Sequence, residues 1–180
     1  MIVSKILELP LCFLPSSALR SVILSPMLRA TQGTIDAMSM AIAKGYAINI
    51  GGGLHHANSQ GGEGFCPIAD ISLAIKLYQK FHKSNLPLNI LEANQAEGDG
   101  SKTKKLKVMY VDLDVHMGNG VERDFKDDLS VYVVDFFNPY IYPGDQVARK
   151  VTINRNFTNF RSFEQKFTFS RNTKILTIWD

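Results

Sequence analysis

The sequence is poor in the features that mark several large protein classes. Only two of its 180 residues are cysteines, Cys12 and Cys66. So far apart in an α/β-type chain, they read as reduced thiols of an intracellular protein and not as a disulfide framework. The formal net charge of +3 is too small to indicate nucleic-acid binding by itself. No apolar run approaches the roughly 20 residues that span a bilayer, so no membrane association is expected. The opening stretch MIVSKILELPLCFLPSSA holds a lysine, apolar residues and small residues. Glu8, Pro10 and Pro15 interrupt it, and a secretory signal is not expected. The glycine-rich residues 57–64, ANSQGGEG, lack the Lys-Ser/Thr that follows in a phosphate loop.

What is present suits one domain with a real core. Residues 1–29 read as a short helix or strand followed by a connection punctuated by Pro10, Pro15 and Pro26. Residues 31–44 predict a helix, with Thr31 or Thr34 as N-cap and Gly45 just past its end. Ile35, Met38, Ala41 and Ile42 share one face. Residues 46–50 follow as a buried-strand candidate. Residues 66–82 predict a second helix, with a stripe of Ile68, Ile71, Ile75 and Tyr78 widened by Leu73, Leu77 and Phe81. Its last residue, His82, reads as a helix-end histidine favoured by the dipole. Residues 94–105 are polar and read as a surface loop. Strands at 108–111 and 131–134 flank a short helical turn within 120–128. Strands linked by helical crossovers imply a parallel, doubly wound sheet.

The chemistry concentrates in two stretches. In KVMYVDLDVHMGNGVE, residues 107–122, an apolar strand leads into Asp112, Asp114 and His116 at alternate positions. Alternate residues of a strand face one side. A carboxylate and an imidazole so placed can share a Zn²⁺, which takes His nitrogen and Asp oxygen at about 2.0–2.2 Å. In AINIGGGLHH, residues 47–56, glycines lead into His55 and His56, whose imidazoles suit acid–base work near neutral pH. Each motif follows a strand candidate, where open α/β sheets place their sites. Singly, each has a bland reading as well: a solvated strand end, or a structural histidine pair. Phe65 reads equally as a core residue or as the wall of a substrate channel.

GGGLHH with GGEGFC, then DLDVHMGNG, then IYPGD, resembles the zinc-dependent histone deacetylases, in wording closest to the class IV branch. The resemblance covers roughly residues 31–150. It implies the arginase/deacetylase fold, a parallel sheet flanked by helices in three layers, here incomplete. It implies hydrolysis of acetyl- or acyl-lysine amides in histone tails or other proteins, in nucleus or cytoplasm, with corepressor-type complexes as partners. Asp114 and His116 match zinc ligands. Asp112 matches the carboxylate that orients His55, and Asn119 the group that contacts His56, which matches the general base. Gly64, Phe65 and Tyr142 match the acyl-lysine tunnel. Asp112, Asp114, His116, Asp135 and Phe136 match a monovalent-cation (K⁺) site, and Phe125, Asp128 and Val131 part of a second one.

The chain departs from the family pattern after Lys150. No Gly-x-Asp segment supplies a third zinc ligand and no Gly-Gly-Tyr supplies a carbonyl-polarising tyrosine. The expectation is a partial deacetylase domain over residues 1–150 and a divergent tail over 151–180, with impaired activity. An acetylpolyamine-type amidohydrolase and an inactive binding remnant are the alternatives. A two-manganese, arginase-like site needs more carboxylates than these motifs offer.

Overall fold

The computed structural model describes residues 2–81, 107–149 and 174–178. Its elements run α1 (Ile2–Ile6), a 3₁₀ turn (Leu11–Phe13), α2 (Ser16–Leu19), a π-helical turn (Arg20–Leu24) and α3 (Ser25–Lys44). They continue with α4 (Asp70–Phe81), β1 (Val108–Asp112), α5 (Asn119–Phe125), β2 (Val131–Asp135) and β3 (Lys174–Ile178). The sheet is parallel, in the order β2-β1-β3. Helices packed on a parallel sheet make this an α/β architecture. His82, the polar stretch 94–105 and the phenylalanines at 157–167 lie outside the described residues.

The core follows from the apolar spacing. Ile35 and Met38 of α3 and Ile71, Ile75 and Tyr78 of α4 pack against Val108 and Tyr110 of β1. Val121 and Phe125 of α5 and Val131 and Val133 of β2 close the cluster. Burying each branched aliphatic side chain contributes about 1.5–3 kcal/mol. Leu73, expected to widen the α4 stripe, instead faces outward. The helix itself begins at Asp70 rather than Cys66. Pro67, three residues earlier, lies in the irregular segment that precedes it.

Three further expectations are corrected. The helix read from residue 31 begins at Ser25. Pro26 sits in its first turn, where the missing N–H costs nothing. Thr31 and Thr34 therefore lie inside the helix, and neither caps it. Thr31 Oγ1 donates to the Met27 carbonyl at 2.9 Å. The strand expected at 46–50 is not formed: that segment is extended but outside the sheet, with Ile48 85% and Ile50 98% exposed. Both edges of β1 are already taken, by β2 and by β3. Asn49 instead ties the segment to α3, donating through Nδ2 to Thr34 Oγ1 at 2.9 Å. The third strand comes from the tail, for which no role is expected from its residues.

Candidate active site

The site forms at the carboxyl ends of β1 and β2, as parallel topology favours. Asp112 closes β1 in register with Asp135 of β2. The chain then leaves the sheet through Asp114 and His116 and enters α5 at Gly118. Gly118 has no room for a side chain, since a Cβ there would meet Asp112 Oδ2 at 2.4 Å.

The histidine loop is held from two sides. Asp70, fully buried in the first turn of α4, accepts from the N–H of Gly53 at 2.9 Å through Oδ2. Its Oδ1 accepts from Leu54 at 2.8 Å. Thr34 Oγ1 donates to the same carboxylate at 2.5 Å. From the other side, the N–H groups of Gly120 and Val121 donate to the His55 carbonyl at 3.0 and 3.3 Å. These are donors that a helix start leaves without intrahelical partners. A Cβ on Gly120 would lie 2.2 Å from the Ala57 carbonyl oxygen, so the contact requires glycine.

Both imidazoles are buried and each has a polar partner. His55 Nδ1 lies 2.8 Å from Asp112 Oδ2, which also accepts from Tyr110 Oη at 2.5 Å. Asp112 Oδ1 accepts from the Asp114 N–H at 3.1 Å. Burial, reinforced by the Asp112 charge, holds the Tyr110 hydroxyl well above its ordinary pKa, so it stays a donor. His56 Nδ1 lies 2.8 Å from Asn119 Oδ1. Burial, with the neighbouring His55, lowers the His56 pKa below its ordinary value. His56 is therefore neutral at neutral pH and has a lone pair to accept a proton.

Asp114 and His116 face the same space. Asp114 Oδ1 is 3.0 Å from His116 Nδ1 and 3.9 Å from His55 Nε2. The rings of His56 and His116 are 6.0 Å apart, centre to centre. A cavity of about 430 Å³ is lined by His55, His56, Asp114 and His116 and walled by Gly64, Phe65 and Tyr142. Phe65 is 58% exposed on that wall rather than packed in the core. The Tyr142 ring stands edge-on to His56 at 5.0 Å. Gly64 has φ +51°, and a Cβ there would meet both His56 and Tyr142.

A metal can be tested against this donor set. The 3.0 Å between Asp114 Oδ1 and His116 Nδ1 is close to the roughly 3.3 Å between two donors on one tetrahedral zinc at the usual bond lengths. The pair fits as two ligands. Among the described residues no group of three His, Cys, Asp or Glu side chains is placed to hold a metal.

The expected monovalent-cation residues fall in two places. Asp135 Oδ2 accepts from Gly118 N at 2.8 Å, while its Oδ1 is buried without a hydrogen-bond partner. Burial, then the Asp112 charge beside it, pushes Asp135 up to about 8. An unpartnered buried carboxylate oxygen suits a cation. The Phe136 N–H donates to the Asp112 carbonyl at 3.1 Å. Phe125, Asp128 and Val131 lie together at the opposite end of β2. The Asp128 N–H donates to the Phe125 carbonyl, and the Val131 N–H to the Asp128 carbonyl.

Sequence reasoning passed over Asp70, Glu63, Arg123, Tyr110 and Asp145. Asp70 carried a signal, as an acidic residue in a helical first turn beside buried positions. The others become visible only when loops distant in sequence meet. Asn119 Nδ2 donates to Glu63 Oε2 at 3.3 Å and to Asp145 Oδ2 at 3.4 Å.

The sequence is similar to those of known proteins. The family profile of the histone deacetylase domain matches residues 14–171, further in both directions than the motifs within 31–150. Histone deacetylase 2 of Arabidopsis thaliana is 41% identical over 149 residues, covering 82% of this chain and 33% of its own length. Histone deacetylase 1 of Homo sapiens is 34% identical over 107 residues, 58% of this chain and 17% of that protein. A crystal structure of an HDAC homolog complexed with SAHA is 27% identical with a TM-score of 0.48, over 65% of this chain and 26% of that one. The chain thus spans a third or less of the length of these relatives. With the profile matched across 14–171, it belongs to the histone deacetylase family.

Proposed function

We propose that this chain carries the proton-transfer and metal-ligating portion of a zinc-dependent hydrolase of acetyl- or acyl-lysine amides. Histone tails or other acylated proteins are its substrates. The observation that carries this reading is the convergence of His56, Asp114 and His116 on one cavity narrowed by Gly64, Phe65 and Tyr142. Asp114 and His116 would hold the zinc, which would supply Lewis acidity toward the amide carbonyl and lower the pKa of water. His56 takes a proton from the attacking water and returns it to the leaving lysine amine. Asp112 and Asn119 fix the orientation of His55 and His56. The aromatic walls exclude water around an extended acyl-lysine side chain. Asp135, with Asp112, Asp114, His116 and Phe136, would hold a monovalent cation, K⁺, which would supply a positive charge against the buried carboxylate; Phe125, Asp128 and Val131 would belong to a second such site.

The finer assignments belong to the same proposal. The motif wording favours the class IV branch, a role in chromatin regulation in nucleus or cytoplasm, and corepressor-type complexes. Residues 1–150 form the partial deacetylase domain, and 151–180 a divergent tail that contributes β3 to the same sheet. With two zinc ligands among the described residues, the 180-residue chain alone binds the ion weakly and turns over little substrate. Zinc titration should therefore show weak binding that is lost in Asp114→Asn and His116→Ala. Efficient turnover of an acetyl-lysine peptide, abolished by His56→Ala and by a chelator, would overturn the impairment. Absence of any zinc or acyl-lysine binding would overturn the enzyme reading in favour of a binding remnant. A second reading, an acetylpolyamine amidohydrolase, is favoured by the exposed Glu8 carboxylate on the cavity wall, which suits a cationic substrate. Tighter binding of an acetylated polyamine than of an acetyl-lysine peptide would select it.

A further inference from the structure

Asn119 is fully buried, and a buried carboxamide brings two N–H hydrogens that need acceptors. Its Nδ2 meets two carboxylates, Glu63 Oε2 at 3.3 Å and Asp145 Oδ2 at 3.4 Å. Turned over, the amide would set its own oxygen against both of them. The amide therefore has one satisfactory orientation, with Oδ1 against His56 Nδ1 at 2.8 Å. An oxygen at that point accepts and cannot donate, so the histidine nitrogen facing it must carry the proton.

Both carboxylates are themselves anchored. Arg123 donates to Asp145 Oδ2 through Nε at 2.5 Å, and its terminal nitrogen lies at 2.5 Å from the same oxygen. The N–H groups of Val147 and Ala148 donate to Asp145 Oδ1 at 3.0 and 3.1 Å. Burial works against the Asp145 charge, but these hydrogen bonds outweigh it and lower its pKa, so it stays an acceptor. Glu63 is hydrogen-bonded to the Tyr142 hydroxyl. Its backbone is fixed by two bonds to Cys66, at 3.1 and 2.8 Å.

We propose that Glu63 and Asp145 are positioning residues that lock the Asn119 amide and so select the His56 tautomer, with the proton on Nδ1 and the lone pair on Nε2. A carboxylate in place of Asn119 would accept from Nδ1 without help. A carboxamide presents either an oxygen or an NH₂ group, and the outer carboxylates remove that choice. The inference rests on His56 being the base of the proposed hydrolysis, since only one tautomer leaves Nε2 free to take a proton. It also links the tunnel wall to the base, because Glu63 joins Tyr142 to Asn119.

The test is ¹⁵N NMR of the imidazoles in the 180-residue chain labelled at histidine, above neutral pH. Wild type should show one His56 species, pyrrole-type at Nδ1 and pyridine-type at Nε2. Glu63→Met/Asp145→Ala should lose that single species to a tautomer mixture. Adding Asn119→Asp should restore it, because a carboxylate only accepts. Should the double variant fail to fold, Glu63→Met alone, at an exposed position, should show a partial loss. A wild-type His56 protonated at Nε2, or an unchanged Nδ1–H species in the folded double variant, would overturn the proposal. Acyl-lysine binding is measured separately. Its absence beside the expected tautomers would defeat the functional reading and leave this one standing.

Discussion

His55 Nδ1 and Asp112 Oδ2, 57 residues apart in sequence, meet at 2.8 Å in the buried floor of the cavity. The contact joins the histidine loop to the end of β1. It makes the geometry of the site part of the stability of the fold. Asp112→Ala removes the acceptor for His55, for Tyr110 Oη and for the Asp114 N–H at once. The expected cost is several kcal/mol, since each buried polar group left without a partner costs about 1–3 kcal/mol. Urea denaturation measures it, and a cost under about 1 kcal/mol would show that the contact does not hold the floor together.

Asp70 tests the support behind the loop. Asn in its place has one acceptor oxygen and one donor nitrogen, so either Gly53 or Leu54 loses its partner. A buried N–H left without an acceptor costs about 1–3 kcal/mol. Asp70→Asn should destabilise the chain by that amount and weaken acyl-lysine binding, although Asp70 does not line the cavity.

Asp135 predicts how stability changes with pH. Its pKa rises from 3.8 unfolded to about 8 folded, through burial and then the charge of Asp112. Between those values the folded state binds more protons than the unfolded state, so this group's contribution to stability falls as pH rises from about 4 to about 8. The slope is at most about 1.4 kcal/mol per pH unit. His56 acts in the opposite sense. Its lowered folded pKa makes stability fall as pH drops below the unfolded value of 6.5. Asp135→Asn should abolish the decline between about pH 4 and 8 and leave the His56-linked fall below pH 6.5 without its offset. Thermal unfolding across pH reads both, and K⁺ should stabilise wild type more than the variant.

Gly64 predicts closure of the cavity. A methyl group there would lie 2.7 Å from His56 Cδ2 and 2.8 Å from Tyr142 Oη, on a residue with φ +51°. Gly64→Ala should cost about 1–3 kcal/mol through overpacking and reduce acyl-lysine binding at least tenfold. Equal peptide affinity in the variant would place the acyl chain elsewhere.

The site was more legible in the sequence than the fold around it. Alternation along 112–116 drew attention to Asp112, Asp114 and His116, although β1 ends at Asp112 and the other two lie in the segment after it; glycines beside histidines marked a tight loop. Apolar spacing likewise located α3, α4, β1 and β2 to within a few residues, apart from the earlier start of α3. The failure at 46–50 has a non-local cause. AINI is as strand-like as KILTI at 174–178, and its own composition cannot say which segment takes the free edge of β1. Nor does local pattern reveal Glu63 and Asp145, which reach Asn119 from loops on either side of it. Such contacts are properties of convergence and have no periodicity to read.

The central claim is that the cavity beside His56, Asp114 and His116 receives an acylated lysine. The most direct measurement is equilibrium binding of an Nε-acetyl-lysine peptide against its unacetylated twin, in the presence of Zn²⁺, for wild type, Asp114→Asn and Gly64→Ala. The account predicts a preference for the acetylated peptide that both variants lose. Equal affinity of wild type for the two peptides, or a preference that survives in both variants, would contradict it.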